Sequence, residues 1–140
     1  MTHIKQFENL IRFTGNIAED VYSFLRESGF PKTAEHSHDV ARKAIELATQ
    51  FDADKDKAEI SGWLHDVSAV FPSAERAKIA REFGIEVLPE EDTFPMIIHQ
   101  KLSVVMASEL FGVTDTQTLS AIGCHTTLKR DASLLDKVVF

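Results

Sequence analysis

Apolar residues in this chain recur at helical spacing, and no stretch between turn signals sustains the two-residue alternation of a half-buried strand. Segments of that kind close a core only by packing helix on helix, so the expected fold class is all-α. The first strong segment opens at Asn16, an N-cap residue with Glu19 three positions on. Ile17, Val21, Phe24 and Leu25 then share one face until Gly29 and Pro31 end it. A second helix is predicted from Thr33 to Phe51, with Val40, Ala44, Leu47 and Phe51 as the apolar stripe opposite Asp39, Glu46 and Gln50. A third, from Asp56 to Val67, carries Ile60, Leu64 and Val67 on one face, and its Ser61 and Gly62 are small enough to admit a close neighbour. Pro72 and Ser73 start a fourth that closes at Gly84, EVLPEEDTFP reads as a polar loop, and Met96 to Phe111 reads as a fifth helix stopped by Gly112. Thr114 and Gln117 suggest a capping box for a sixth, running through Leu119 and Ile122 toward His125. SLLDKVVF begins one more helical pattern and stops on apolar residues, as a chain cut inside a helix would. Residues 1–140 are thus read as one bundle of six or seven helices, with no repeat, linker or low-complexity tract to divide it.

A chain of 140 residues with 44% hydrophobic positions can bury roughly 68% of the surface its unfolded form exposes, enough to hold a fold without staples. Cys124 is the single cysteine, so no internal disulfide helps, and a metal here would serve function before folding. Twenty-two acids against fifteen Lys and Arg give a net charge of −7, which disfavours nucleic acid and anionic membranes as partners because their phosphates would be repelled. No apolar segment approaches the roughly 18 residues of a membrane span. The start, MTHIKQFENLIRF, lacks the charge run, apolar stretch and cleavage site of a leader, so the expected compartment is the reducing cytoplasm.

Six histidines are the unusual feature of the composition. His36, His38, His65, His99 and His125, with Asp66, fall on predicted helices or helix ends, and imidazole with carboxylate is a ligand set for Mn, Fe, Co, Ni and Zn ions. Separate helices of a bundle can project such side chains into one cavity. Each has a plainer reading as well. His3, near the terminus, is expected at the surface. His36 and His38 flank the second helix's stripe on opposite margins, so periodicity does not choose between them. His65 follows Leu64 in an apolar turn and could be a satisfied core histidine, but the adjoining Asp66 would then need a buried partner too. His99 and His125 flank apolar segments and singly would pass for boundary residues. Cys124 beside His125 has no second cysteine at ligand spacing and reads as a small buried thiol. Nucleophile-elbow and phosphate-loop patterns are absent, and the acids at Asp52 to Asp56 and Glu90 to Asp92 read as helix starts and solvated loops.

The His65-Asp66 doublet in SGWLHDVSAV, preceded by His36 in EHSHDVARKAIELA, resembles the HD-domain superfamily of metal-dependent phosphohydrolases. The later histidines, in IIHQKLSVVMASELFGV and LSAIGCHTTLKR, narrow the resemblance to the YqeK-like branch of symmetrical diadenosine tetraphosphatases. The likeness runs from about His36 to Phe140, and residues 1–30 match only as a helical lead-in. It implies a single HD domain with two divalent ions, usually iron, with manganese, magnesium, zinc, cobalt or nickel as alternatives. By the same resemblance the metal ligands are His36, His65, Asp66, His99 and His125, with Asp66 able to bridge the ions and His65 and Asp66 as the catalytic pair, while His38 is a bystander. The branch's remaining Asp lies beyond the segment matching LLDKVVF, and Asp136 corresponds to a different, upstream acid. The implied reaction splits diadenosine tetraphosphate into two ADP.

Two positions depart from the branch: Ala69 stands where a Lys is usual and Leu128 where a Gly is usual. Lost charge at one and added bulk at the other both fall where phosphate would be handled. Lys129, with Lys43 and Lys101, remains as a candidate source of positive field for an anionic substrate in an acidic protein. Two alternatives stay open: an HD hydrolase acting on another nucleotide or phosphoester, and a degenerate module that binds metal or nucleotide without turnover. The resemblance also implies a homodimer; the substrate partner is a small-molecule nucleotide.

Overall fold

The computed structural model describes residues 2–93, 98–125 and 128–140. Its α-helices, in chain order, are α1 (Thr2–Lys5), α2 (Ile17–Glu27), α3 (Pro31–Phe51), α4 (Lys55–Leu64), α5 (Arg76–Glu82), α6 (Pro89–Thr93), α7 (His99–Glu109), α8 (Thr116–Gly123) and α9 (Leu134–Val139). Two 3₁₀ turns, Val67–Val70 and Ser73–Glu75, lie between α4 and α5, and no strand occurs among the described residues. The all-α expectation holds, with more and shorter helices than six or seven.

The α2 segment forms as its pattern dictates. The Asn16 side chain caps it by accepting from the Glu19 amide, and Val21, Phe24 and Leu25 enter the main core. Asp20 is buried too, because its carboxylate accepts from the Thr14 amide and hydroxyl and from the Gly15 amide, folding the preceding loop onto the helix.

The buried face of α3 is not the Val40, Ala44, Leu47 and Phe51 stripe. Ala34, Ser37, Ala41, Ala44 and Ala48 face inward, Val40 and Leu47 are half-buried, and Phe51 is 54% exposed. Close approach explains the rotation. α3 lies along α4 so tightly that a Cβ on Gly62 would sit 2.7 Å from the Ala41 Cα, and only small residues fit that seam. Ser61 and Gly62 thus play the part their size implies. α9 packs against α3, α4 and α8, where Leu135, Val138 and Val139 close a second, alanine-rich cluster with Ala44, Ala48, Ala58 and Ala121.

Other boundaries move for local reasons. α4 stops at Leu64 rather than Val67, leaving His65 as its C-cap and Asp66 at φ −115° before the 3₁₀ turn. The polar loop contains α6, whose Glu91 turns back to accept from the Leu88 amide. α7 starts at His99 as described, and the Met96 start falls outside the described residues. α8 is capped one residue later than expected, by Asp115 accepting from the Thr118 amide, because Lys57 takes the Gln117 side chain. His3, expected at the plain surface, is instead tied to Glu82 and stacks edge-on against Phe71 and Phe83, so α1 is anchored. No helix is long and apolar enough to cross a membrane among the described residues.

Candidate metal centre

The break at the end of α4 makes the site. Inside a regular helix, neighbours point about 100° apart. The turn from helix to 3₁₀ at His65 and Asp66 lets both consecutive side chains face one cavity. Ser68, in that 3₁₀ turn, donates its hydroxyl to the His99 carbonyl at 2.7 Å, and its amide donates to the Ser103 Oγ at 3.2 Å. These two bonds fix the position of Asp66 against the start of α7. α3 supplies His36, and the residue after the α8 C-cap is His125.

The result is an open cavity of about 560 Å³, lined by His36, His65, Asp66, His99 and His125 together with Lys32, Thr33, Ala69 and Arg76. Asp66 stands at its centre. Oδ2 lies 3.0 Å from His65 Nε2 and 3.5 Å from His36 Nε2. Oδ1 lies 3.2 Å from His99 Nε2 and 3.7 Å from His125 Nε2. One carboxylate therefore joins two trios, His36 with His65 and Asp66, and Asp66 with His99 and His125. The His65 and His125 side chains are 7% and 8% exposed, whereas His36, at 56%, stands at the mouth.

The orientation of two imidazoles identifies what the cavity accepts. His65 Nδ1 donates to the Gly62 carbonyl at 2.6 Å and His125 Nδ1 to the Ile122 carbonyl at 2.7 Å. A carbonyl only accepts, so each neutral ring carries its proton on Nδ1 and turns a lone pair on Nε2 into the cavity. Those lone pairs meet the Asp66 carboxylate, and His125 Nε2 meets His99 Nε2 at 2.9 Å. A divalent cation resolves this crowding of electron pairs, and backbone carbonyls holding the far ring nitrogen are the usual support of metal-binding histidines. Burial pushes the Asp66 carboxyl up, but where no cation stands, a proton taken up on Nε2 by His125, His65 or His99 outweighs it and holds the group well below the usual carboxylate range. The residues present fit a divalent ion.

The structure thus brings His36, His65, Asp66, His99 and His125 together and leaves His38 outside, its ring tilted against Trp63. The lysines lie elsewhere. Lys43 pairs with Glu46, Lys101 with Glu91, and Lys129 with Ser120 and, at 3.8 Å, Asp136; none lines the cavity. Each lies beside an acid close in sequence or space, which claims its charge first. The cations that do line it, Arg76 and Lys32, carried no motif in the sequence, although both sit at helix starts. Leu128 adopts φ +58°, the left-handed region that glycine occupies without strain, and Thr126 and Thr127 beside it fall outside the described residues.

The sequence model of the family described as HD domain matches residues 33–140. The symmetrical bis(5'-nucleosyl)-tetraphosphatase of Bacillus subtilis (strain 168) is 34% identical over 107 residues, covering 75% of this chain and 56% of the relative. The enzyme of the same name from Staphylococcus aureus is 30% identical over 111 residues, covering 78% of this chain and 56% of the relative. A crystal structure of a "predicted HD superfamily hydrolase involved in NAD metabolism" from Clostridium acetobutylicum superposes with a TM-score of 0.81 at 28% identity, covering 86% of this chain and 64% of that one. The chain spans about half the length of the curated relatives it matches.

Proposed function

The chain belongs to the HD domain family, and on that premise we propose that it is a metal-dependent phosphohydrolase of nucleotides, with diadenosine tetraphosphate, split symmetrically into two ADP, as substrate. The observation that carries this reading is the Asp66 carboxylate, with two histidines at each oxygen. That arrangement suits two divalent ions, iron first among them, which His36 and His65 on one side and His99 and His125 on the other would hold with Asp66 shared between them. The substrate follows from the name of the relatives from B. subtilis and S. aureus.

When bound, the ions supply Lewis acidity toward a phosphoryl oxygen and lower the pKa of a water. The protein's own contribution is positional. Asp66 fixes the separation of the two trios, and the Gly62 and Ile122 carbonyls keep the proton of His65 and His125 on the far side of each ring. Neutral imidazoles add no charge, so the ligand set brings one negative charge and leaves the centre electrophilic toward an anion. The exposed His36 leaves the centre open to a ligand as large as a nucleotide.

The experiment is chromatography of the products after the protein, loaded with ferrous iron or manganese, is incubated with diadenosine tetraphosphate. ADP as the single product is expected. Bound metal with no ADP would overturn the substrate and favour the non-catalytic module, a reading supported by the uncharged Ala69 in the cavity wall and the left-handed Leu128.

A further inference from the structure

Arg76 opens α5 directly behind the 3₁₀ turn, and its side chain enters the wall of the histidine cavity. Its Nε donates to the Phe71 carbonyl at 3.1 Å. Among the described residues that is its only hydrogen bond, and it makes no ion pair, unlike Lys43, Lys57, Arg81, Lys101 and Lys129. The guanidinium is half-buried, and burial lowers its pKa from the ordinary value while the Asp66 charge opposes the shift. A cation withdrawn from water without a carboxylate partner costs free energy unless an anion completes it. Anchoring Nε to a carbonyl leaves the two terminal nitrogens as a planar fork, the geometry that grips a phosphate through two parallel bonds. Ala69, in the same wall, leaves room for such a group, and exposed Lys32 adds a second charge at the rim.

We propose that Arg76 is the anion clamp of this cavity, holding the phosphate next to the one presented to the histidine cluster, so that the site selects ligands with at least two linked phosphates. The inference rests on the phosphohydrolase reading and sharpens its substrate class. A phosphomonoester would reach the cluster without engaging the fork; a nucleoside diphosphate or longer chain engages both.

The test is calorimetric titration of the metal-loaded protein with methylphosphonate and methylenediphosphonate, non-hydrolysable probes with one and two phosphoryl groups. Wild type is expected to bind the diphosphonate more tightly. Arg76→Gln should weaken the diphosphonate about tenfold or more, change the monophosphonate less than about threefold, and leave the metal content unaltered. Arg76→Lys, which keeps the charge but loses both the fork and the Phe71 anchor, should fall between them. Equal affinities in wild type and Arg76→Gln would overturn the clamp while leaving the hydrolase reading intact. So would a Lys variant as weak as Gln with an equally lowered melting temperature, because Arg76 would then only brace the turn. Absence of metal from wild type itself would strike the hydrolase reading, and titration of that metal-free protein would still show whether Arg76 distinguishes one phosphoryl group from two.

Discussion

Asp66 and Asp136 are both carboxylates drawn inward at the start of a helical segment, and their surroundings are opposite. Asp136 is 1% exposed and surrounded by proton donors. The Ser133 amide reaches Oδ2 at 2.9 Å, the Ser120 hydroxyl reaches Oδ1 at 2.9 Å, and Lys129 stands 3.8 Å away. Ser133 and Asp136 also complete a capping box that starts α9. Around Asp66, His65 and His125 have spent their protons on backbone carbonyls and offer lone pairs instead. Burial and charge therefore do not tell a structural acid from a ligating one. What decides is whether the neighbours bring protons or electron pairs, and electron pairs suit a cation.

That contrast breaks most sharply at Asp66. Asp66→Ala should abolish metal uptake and turnover together, yet leave the metal-free melting temperature within a few degrees, because the carboxylate that is removed is an incompletely compensated buried charge. Metal analysis beside calorimetry reads both. A variant that still takes up two ions would show that the carboxylate is no bridge.

The next largest effect joins fold to site at Gly62, whose carbonyl holds His65 and whose α-carbon faces Ala41. Gly62→Ala would bring a methyl within 2.7 Å of backbone, which cannot swing aside as a side chain can. The helices must separate, at a cost of about 1–3 kcal/mol in denaturant titration. Because the His65 anchor moves with them, metal affinity should fall about 10- to 100-fold, the range for loss of outer support to a ligand. Stability lost with metal affinity unchanged would mean that the Gly62 carbonyl does not set the ring.

The sequence carried the bundle, and the family resemblance named the five candidate ligands, but neither showed the way they meet. Periodicity found α2 because Val21, Phe24 and Leu25 are large and point one way. It misjudged α3 because the buried seam is made of alanines and a serine, which carry little apolar signal, while bulkier Val40, Leu47 and Phe51 lie beside it. His36 and His38 were equivalent by periodicity, and it was resemblance that preferred His36, the one the structure places against Asp66. Arg76 was illegible because a lone arginine at a helix start has no pattern, and its meaning appears only when the chain folds it into the histidine cavity. The short α6 and α9 depend on side-chain caps that reach only three residues, below the window in which periodicity speaks.

Asp136 gives the smallest and most discriminating effect. Burial pushes its carboxyl up, but bonds from the Ser133 amide, the Ser120 and Ser133 hydroxyls and the Lys129 charge outweigh this and place it below the usual range. A depressed carboxylate contributes stability that is fully present above its unfolded pKa of about 3.9 and is lost as pH falls through the lower folded value. Asp136→Asn keeps the shape and one acceptor but removes the charge, so at pH 7 it should cost about 1–2 kcal/mol, the scale of a cap and a charge-assisted bond. Denaturant midpoints of wild type and variant should then draw together below about pH 4, as the wild-type carboxylate takes up its proton. Metal content should be the same in both proteins at neutral pH. A gap that stays constant on acidification would show that the Asp136 charge does nothing for the fold; metal loss in Asp136→Asn would erase the division between the two aspartates, because it would make the capping acid part of the centre.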